Sequence, residues 1–104
     1  LATCYARPVA GTTPTTASLL ATLARAYAKE PLVVVGQNSP STKATLGTNV
    51  THITARFDER TGYVMVLSAL DNLAKGASGG AVQAANVALG LHELDGLSMV
   101  GMYP

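Results

Sequence analysis

The sequence predicts an α+β fold with a mixed, largely antiparallel sheet and helices packed on one face. Two observations lead to this prediction. Extended and helical patterns follow one another in the order strand–helix–strand–strand–strand–helix–strand. In addition, the turn-rich residues 58–62 end in glycine, as a five-residue hairpin loop should, and join two of those strands directly. This alternation with one hairpin is typical of helices laid on a partly antiparallel sheet.

The first half of the chain predicts a strand, a helix and a short buried strand. Residues 1–9 contain several β-forming side chains. Thr13 before Pro14 predicts a helix start, because a hydroxyl caps free N–H groups and proline suits the first helical position. The helix has one apolar stripe, made of Leu20, Leu23, Ala24 and Tyr27. Pro31 ends it at Glu30, and residues 32–35 form the next strand.

The second half predicts two paired strands, a small-residue helix and a last strand. After a polar loop at 36–47, residues 50–57 alternate between apolar and polar side chains, as a strand with one buried face does. Residues 63–70 are apolar without alternation, which predicts a strand covered on both faces. The second helix ends at Gly90. The remainder, up to Pro104, is predicted to be loop plus a short strand at 97–102.

The composition predicts that another part of a protein covers this chain. Charged residues make up 12% of the sequence and hydrophobic residues 48%, against a usual charged share of roughly 25%. We therefore expect part of a longer protein or an obligate oligomer, and we expect the isolated chain to associate. The basic residues are scattered, which argues against nucleic-acid binding, and no apolar run or leader pattern predicts a membrane span or a signal peptide.

The residues that could perform chemistry are few. Cys4 is the only cysteine, which fits a reducing compartment, and its place inside a strand favours a buried structural thiol over a nucleophile. His52 is expected to be a surface or interface histidine, and His92 to lie in a loop after a helix. We predict no catalytic residue and no metal site in this chain.

The polar residues and glycines that follow residue 70 form the most informative stretch. An apolar strand delivers Asp71 and Asn72 to a Gly-rich helix start, where free N–H groups favour an anionic or carbonyl ligand. Gly79 and Gly80 lie inside this helix although each interior glycine costs about 1 kcal/mol relative to alanine. They indicate either close approach of a ligand or another backbone, or a helix packed tightly on a sheet.

This stretch carries a resemblance to a known family. The run Asp71-Asn72-Leu73-x-Lys75-Gly76-Ala77-x-Gly79-x-Ala81-Val82-Gln83, with Asn86 and Leu89-Gly90-Leu91 after it, resembles the C-terminal region of N-acetyl-gamma-glutamyl-phosphate reductases. Four earlier segments match in the same order: Leu1-Ala2-Thr3, Ser41-Thr42-Lys43, Gly47-Thr48-Asn49 and Asp58-Glu59-Arg60-Thr61-Gly62. Aspartate-semialdehyde dehydrogenases share the Asp-Asn-x-x-Lys-Gly core, but Gln83 with Asn86, and Leu-Gly-Leu before Gly96-Leu97, favour the reductase.

The resemblance implies a fragment of the C-terminal domain shared with glyceraldehyde-3-phosphate dehydrogenase. Residues 1–70 would be the latter half of the substrate and oligomerisation domain. Residues 71–104 would be the returning helix and terminal segment, packed on an N-terminal NADP-binding domain that carries the catalytic cysteine. The implied reaction is the reduction of an acyl phosphate to a semialdehyde by NADPH, through a thioester, in cytoplasmic arginine biosynthesis. The implied protein is a homo-oligomer acting on a small molecule, and the fragment alone is expected to be inactive.

The same resemblance implies a part of the cofactor site. Asn72 would contact the nicotinamide carboxamide, and Gly76 would allow close backbone approach. Asp71 would cap the helix or orient Asn72, and Lys75 would be either a phosphate contact or a surface charge. A capped helix start without any ligand is the simpler alternative for this group. For the chain as a whole, the alternatives are an aspartate-semialdehyde dehydrogenase-like fragment and a non-enzymatic module that only self-associates.

Overall fold

A computed structural model, which describes residues 1–102, confirms the α+β fold with a mixed four-stranded sheet. The predicted loop that reaches Pro104 thus passes outside the described residues. The elements are β1 Ala2–Ala6, α1 Thr16–Ala26, β2 Val33–Val35, β3 Thr51–Asp58, β4 Tyr63–Ala69, a π-helical turn Ala74–Ser78 and α2 Gly79–Ala88. Strand order across the sheet is β1-β4-β3-β2. Pairing is antiparallel for β1 with β4 and for β3 with β4, and parallel for β2 with β3.

The hairpin between β3 and β4 lies where the turn residues predict it. Asp58 pairs with Tyr63 across the ladder. The Asp58 carboxylate accepts the Arg60 backbone N–H at 3.0 Å and the Thr61 hydroxyl at 2.6 Å. The Thr61 bond is the main reason that the pKa of Asp58 lies below its usual value. Gly62 closes the loop with φ of 73°, a conformation that favours glycine.

Helix α1 starts two residues later than the sequence predicts. Thr15 is the N-cap, and its hydroxyl accepts the Ser18 N–H at 3.1 Å while the Ser18 hydroxyl accepts the Thr15 N–H at 3.0 Å. This reciprocal pair satisfies two backbone donors at once, whereas the predicted cap, Thr13, lies before the helix. The helix ends at Ala26 with Tyr27 as C-cap, so its predicted continuation to Glu30 is also wrong. Helix α1 packs on β3 and β2.

The core of the described chain is small. Buried apolar side chains are found at Leu32, Val50, Ala55 and Ala69. Every side chain of β4 except the last is only half-buried, so the prediction of a strand covered on both faces is not met within this chain. Strand β1 is exposed along its whole length and is shorter than the predicted residues 1–9.

The predicted last strand at 97–102 does not form. The segment instead runs beside residues 46–49: the Asn49 N–H donates to the Ser98 carbonyl at 3.0 Å and the Met102 N–H to the Leu46 carbonyl at 3.1 Å. The Ser98 hydroxyl bonds the Val100 carbonyl at 3.0 Å and accepts the Val100 N–H at 3.2 Å. Local bonds of this kind compete with a strand ladder.

Candidate functional site

Asp71 lies just beyond the end of β4 and joins two segments. Its Oδ1 accepts the backbone N–H groups of Leu73 at 2.8 Å and Ala74 at 2.6 Å. Its Oδ2 accepts the N–H of Gly47, at the end of the polar loop, at 2.9 Å. The bond from Ala74, followed by the bond from Gly47, lowers the pKa of Asp71 below its usual value. The carboxylate therefore caps the following turn and ties the polar loop to it.

The turn after Asp71 is π-helical. The Gly76 N–H donates to the Asp71 carbonyl at 2.8 Å and the Ser78 N–H to the Leu73 carbonyl at 3.0 Å, each spanning five residues. The Gly79 N–H continues this pattern to the Ala74 carbonyl, and regular α-helix begins only there. The periodicity of the sequence did not predict this π-helical turn. Single turns of this kind are frequent at functional sites.

The glycines of this region are explained by contacts within the chain. A Cβ at Gly79 would lie 1.6 Å from Oδ1 of Asn49, and a Cβ at Gly80 would lie 2.8 Å from the Lys75 carbonyl oxygen. A Cβ at Gly76 would lie 3.1 Å from the Asp71 carbonyl oxygen. The close neighbour is the side chain of Asn49 at Gly79, and a backbone carbonyl five residues earlier at Gly76 and Gly80. The sequence had left open a ligand or another backbone, or a helix packed tightly on a sheet.

The contact at Gly79 involves a buried polar group. Asn49 is only 7% exposed, and its Nδ2 donates to the Ser98 carbonyl at 3.1 Å. Its Oδ1 makes no hydrogen bond with the described residues. The side chain of Asn49 thus fills the space that a larger residue at position 79 would need, and it holds the start of α2 close to the beginning of β3.

Asn72 differs from its neighbour because its side chain is exposed. Among residues 1–102, none is hydrogen-bonded to its amide. The residue borders an open depression of about 650 Å³ that is lined by four leucines together with Thr42, Lys43, Asp71 and Asn72. An amide in this position can donate to and accept from the same ligand group.

Lys75, also predicted at the site, lies in a different environment. It does not line the depression. Its Nζ donates to Oε1 of Gln83 on α2, and Nε2 of Gln83 donates to Oε1 of Glu93 at 2.6 Å. The buried Asn86 donates from Nδ2 to the carbonyls of Glu93 at 3.1 Å and Asp95 at 2.9 Å. Sequence reasoning used Gln83 and Asn86 only as marks of resemblance and missed these contacts.

The remaining reactive side chains are not gathered into a site. Cys4 is exposed on the edge strand β1, which corrects the expectation of a buried thiol. His52 is half-buried in β3, and His92 is exposed with its Nδ1 3.8 Å from the Asp95 carboxylate. No three possible metal-binding side chains meet within residues 1–102. In that same range, none of the helices has both the length and the apolar character needed to span a bilayer.

Comparison with known proteins shows similarity over the whole chain. The family model described as semialdehyde dehydrogenase, dimerisation domain, matches residues 1–72. N-acetyl-gamma-glutamyl-phosphate reductase from Acidothermus cellulolyticus is 49% identical over the full chain, which covers 30% of that protein. The proteins of the same name from Micrococcus luteus and Thermus thermophilus are 48% and 50% identical over 85% and 75% of the chain.

These matches confirm the resemblance found in the sequence. The aligned regions cover 26% of the Micrococcus protein and 23% of the Thermus protein. The chain therefore spans less than a third of the length of the curated relatives that it matches.

Proposed function

Because this chain belongs to the semialdehyde dehydrogenase dimerisation-domain family, we propose that it is the C-terminal part of an N-acetyl-gamma-glutamyl-phosphate reductase. The complete enzyme would reduce N-acetyl-gamma-glutamyl phosphate to N-acetylglutamate semialdehyde with NADPH, in cytoplasmic arginine biosynthesis. The observation that carries the proposal is the 49% identity to the Acidothermus reductase over the full chain. The reaction's nucleophile and the dinucleotide-binding loop would lie in the part of the enzyme outside these 104 residues.

Within this chain, the proposed contribution to the cofactor site is the side chain of Asn72. The amide is exposed, has no partner among the described residues and borders the depression beside Asp71. Its donor and acceptor match those of a carboxamide, so this residue would hold the nicotinamide end of NADP. The cofactor would supply a hydride to the acyl carbon when bound. Gly76 lies in the π-helical turn after Asn72, close to the Asp71 carbonyl. Because it has no side chain, it would leave room for the cofactor to approach Asn72.

Asp71 would serve this site indirectly. Its two carboxylate oxygens are used by the N–H groups of Gly47, Leu73 and Ala74. The carboxylate would thus orient Asn72 through the backbone rather than bind the cofactor.

The proposed partners are the cofactor domain of the same polypeptide and a second copy of the chain. Both would cover apolar surface that the described residues leave open, such as the half-buried β4, the exposed Val87 of α2 and the exposed Leu89 that caps this helix. The matching family model is described as a dimerisation domain, which supports the second copy. Alone, the 104 residues are expected to be catalytically inactive.

The role of Asn72 is tested by Asn72→Ala in the complete enzyme. Loss of the amide leaves the carboxamide of the cofactor unpaired, so we expect NADPH binding and hydride transfer to weaken together by about 1–3 kcal/mol. The melting temperature should change little because Asp71 still caps the turn. Steady-state kinetics and a thermal melt on the same preparation measure both quantities.

Asn38→Ala is the matched control, because Asn38 is also exposed but does not line the depression. A lowered melting temperature with unaltered KM for NADPH and unaltered kcat would show that position 72 is only structural. The substrate is tested separately by comparing N-acetyl-gamma-glutamyl phosphate with beta-aspartyl phosphate. Preference for the second would favour the aspartate-semialdehyde dehydrogenase alternative.

A further inference from the structure

A row of three polar side chains links the π-helical turn, α2 and the loop that follows α2. Lys75 donates to the Gln83 amide oxygen, and the Gln83 amide nitrogen donates to the Glu93 carboxylate at 2.6 Å. All three residues are half-buried. A lysine ammonium only donates and an ionised carboxylate only accepts, so the two ends of the row leave the amide a single orientation. Both bonds involve a charged group and belong to the stronger class of hydrogen bonds.

The far end of the row is anchored by the backbone. The Glu93 carbonyl accepts from Nδ2 of Asn86, a residue only 6% exposed, and the same Nδ2 bonds the Asp95 carbonyl at 2.9 Å. Glu93 is therefore held through its side chain and its main chain to two residues of α2. The row therefore ends at Glu93, which these hydrogen bonds hold in place.

The near end of the row lies in the π-helical turn that follows Asn72. Lys75 is three residues beyond Asn72, inside the π-helical turn. A Cβ on Gly80 would lie only 2.8 Å from the Lys75 carbonyl oxygen. The backbone of Lys75 therefore packs directly on the first turn of α2. The side chain points to Gln83 and not into the depression beside Asn72.

We propose that Lys75, Gln83 and Glu93 act as one positioning unit that fixes the π-helical turn and thereby Asn72. Lys75 then serves the cofactor site without touching a phosphate group. This inference rests on the proposed function, since Asn72 must contact the cofactor for its position to matter. It assigns a role to Gln83 and Glu93, which the proposed function leaves without one.

The test measures NADPH affinity of the complete enzyme by fluorescence titration, together with the KM for each substrate. Gln83→Met keeps the length of the side chain but cannot bridge, and Lys75→Met removes the charge. We expect each to weaken NADPH binding about two- to tenfold, as the loss of one hydrogen bond would, with the KM for the acyl phosphate unchanged. The double variant should be no weaker than the single variants, because both belong to one unit.

Two further variants separate positioning from plain stability. Lys75→Arg keeps a donor and should recover part of the affinity, whereas Lys29→Met, on the exposed residue Lys29, should change nothing. Glu93→Gln removes the anionic end and should weaken binding less than Gln83→Met. If Gln83→Met does not fold, Glu93→Gln tests the same inference in its place.

Four results would overturn the inference. A loss in Lys75→Met far above that in Gln83→Met would make Lys75 a direct phosphate ligand. A lowered melting temperature with unchanged NADPH affinity would make the unit merely structural. A wild-type enzyme that does not bind NADPH would overturn the proposed function and this inference together, whereas wild-type binding with unchanged Gln83→Met affinity overturns the inference alone.

Discussion

A single carboxylate, Asp71, accepts three backbone N–H groups: those of Leu73 and Ala74 just after it, and that of Gly47, 24 residues before it. Two of these bonds cap the π-helical turn, and the third holds Gly47 of the polar loop. The sequence left two roles for Asp71, capping the helix or orienting Asn72, and the structure shows the capping bonds. The sequence could not predict the bond to Gly47, because that contact exists only once the loop has folded back over the end of β4.

Acid should therefore weaken this junction in a defined pH range. The hydrogen bonds lower the folded-state pKa of Asp71 below its usual value, so the ionised form is the one that the fold prefers. The stabilisation is fully present above the unfolded pKa and is lost as pH falls through the folded pKa. We expect the melting temperature of the wild type to exceed that of Asp71→Asn at pH 6, and this difference to shrink below about pH 4.

Asp58→Asn is a useful comparison, because the pKa of Asp58 is also lowered. Asp58 is the last residue of β3 and pairs with the first residue of β4, whereas Asp71 follows the last one. Asp58→Asn should show a similar pH dependence without any effect on NADPH binding. A difference between wild type and Asp71→Asn that stays constant from pH 6 down to pH 3 would contradict the assigned role of the ionised carboxylate.

The junction between the π-helical turn and α2 depends on the absence of a side chain at Gly79. The buried Asn49 occupies the space next to it, with Oδ1 only 1.6 Å from the place where a Cβ would be. This contact joins α2 to the start of β3. Helix propensity alone disfavours glycine here, and the tertiary contact overrides it.

Gly79→Ala should lower the free energy of unfolding by about 1–3 kcal/mol, the usual cost of forcing extra atoms into a packed site. Chemical denaturation measures this change. Gly36→Ala is the matched control, since a Cβ there meets no atom within 4 Å and no left-handed conformation is required. Asn49→Ala combined with Gly79→Ala should restore part of the loss. Equal effects at positions 36 and 79 would refute the steric explanation.

The whole molecule leaves much apolar surface uncovered. Strand β4 lies between two neighbours in the sheet and is still half-buried for most of its length. Val82 and Val87 of α2 and its C-cap residue Leu89 are exposed, and no residue of α1 is fully buried. Surface of this kind is normally covered by another domain or subunit.

The 104-residue chain on its own should therefore associate at micromolar concentration and bind a hydrophobic dye. Sedimentation velocity and dye fluorescence measure these properties, and the complete protein should show far less dye binding per mass. A sharp monomer boundary without dye binding would contradict the conclusion that a partner covers these faces.

The sequence by itself determined the features that depend on neighbouring residues. The alternation in 50–57 and the Asp58–Gly62 turn predicted the β3–β4 hairpin, because strand pleat and turn chemistry act within a few residues. The run from Asp71 to Gln83 carried the resemblance to the family together with Asn86, the later Leu-Gly-Leu and Gly-Leu sequences, and the four earlier matching segments. The start of α1 is local as well, because the capping box joins Thr15 to Ser18, only three residues along the chain. The sequence prediction placed the cap at Thr13 and overlooked this pair.

Only the tertiary structure decided how residues 97–102 are hydrogen-bonded and which residues surround the candidate site. Ser98 and Met102 bond the segment at 46–49 instead of a strand edge, Gly79 accommodates Asn49, and Lys75 binds Gln83. Local pattern cannot specify such contacts, because their free energy comes from groups that are distant in sequence and meet only in the folded chain.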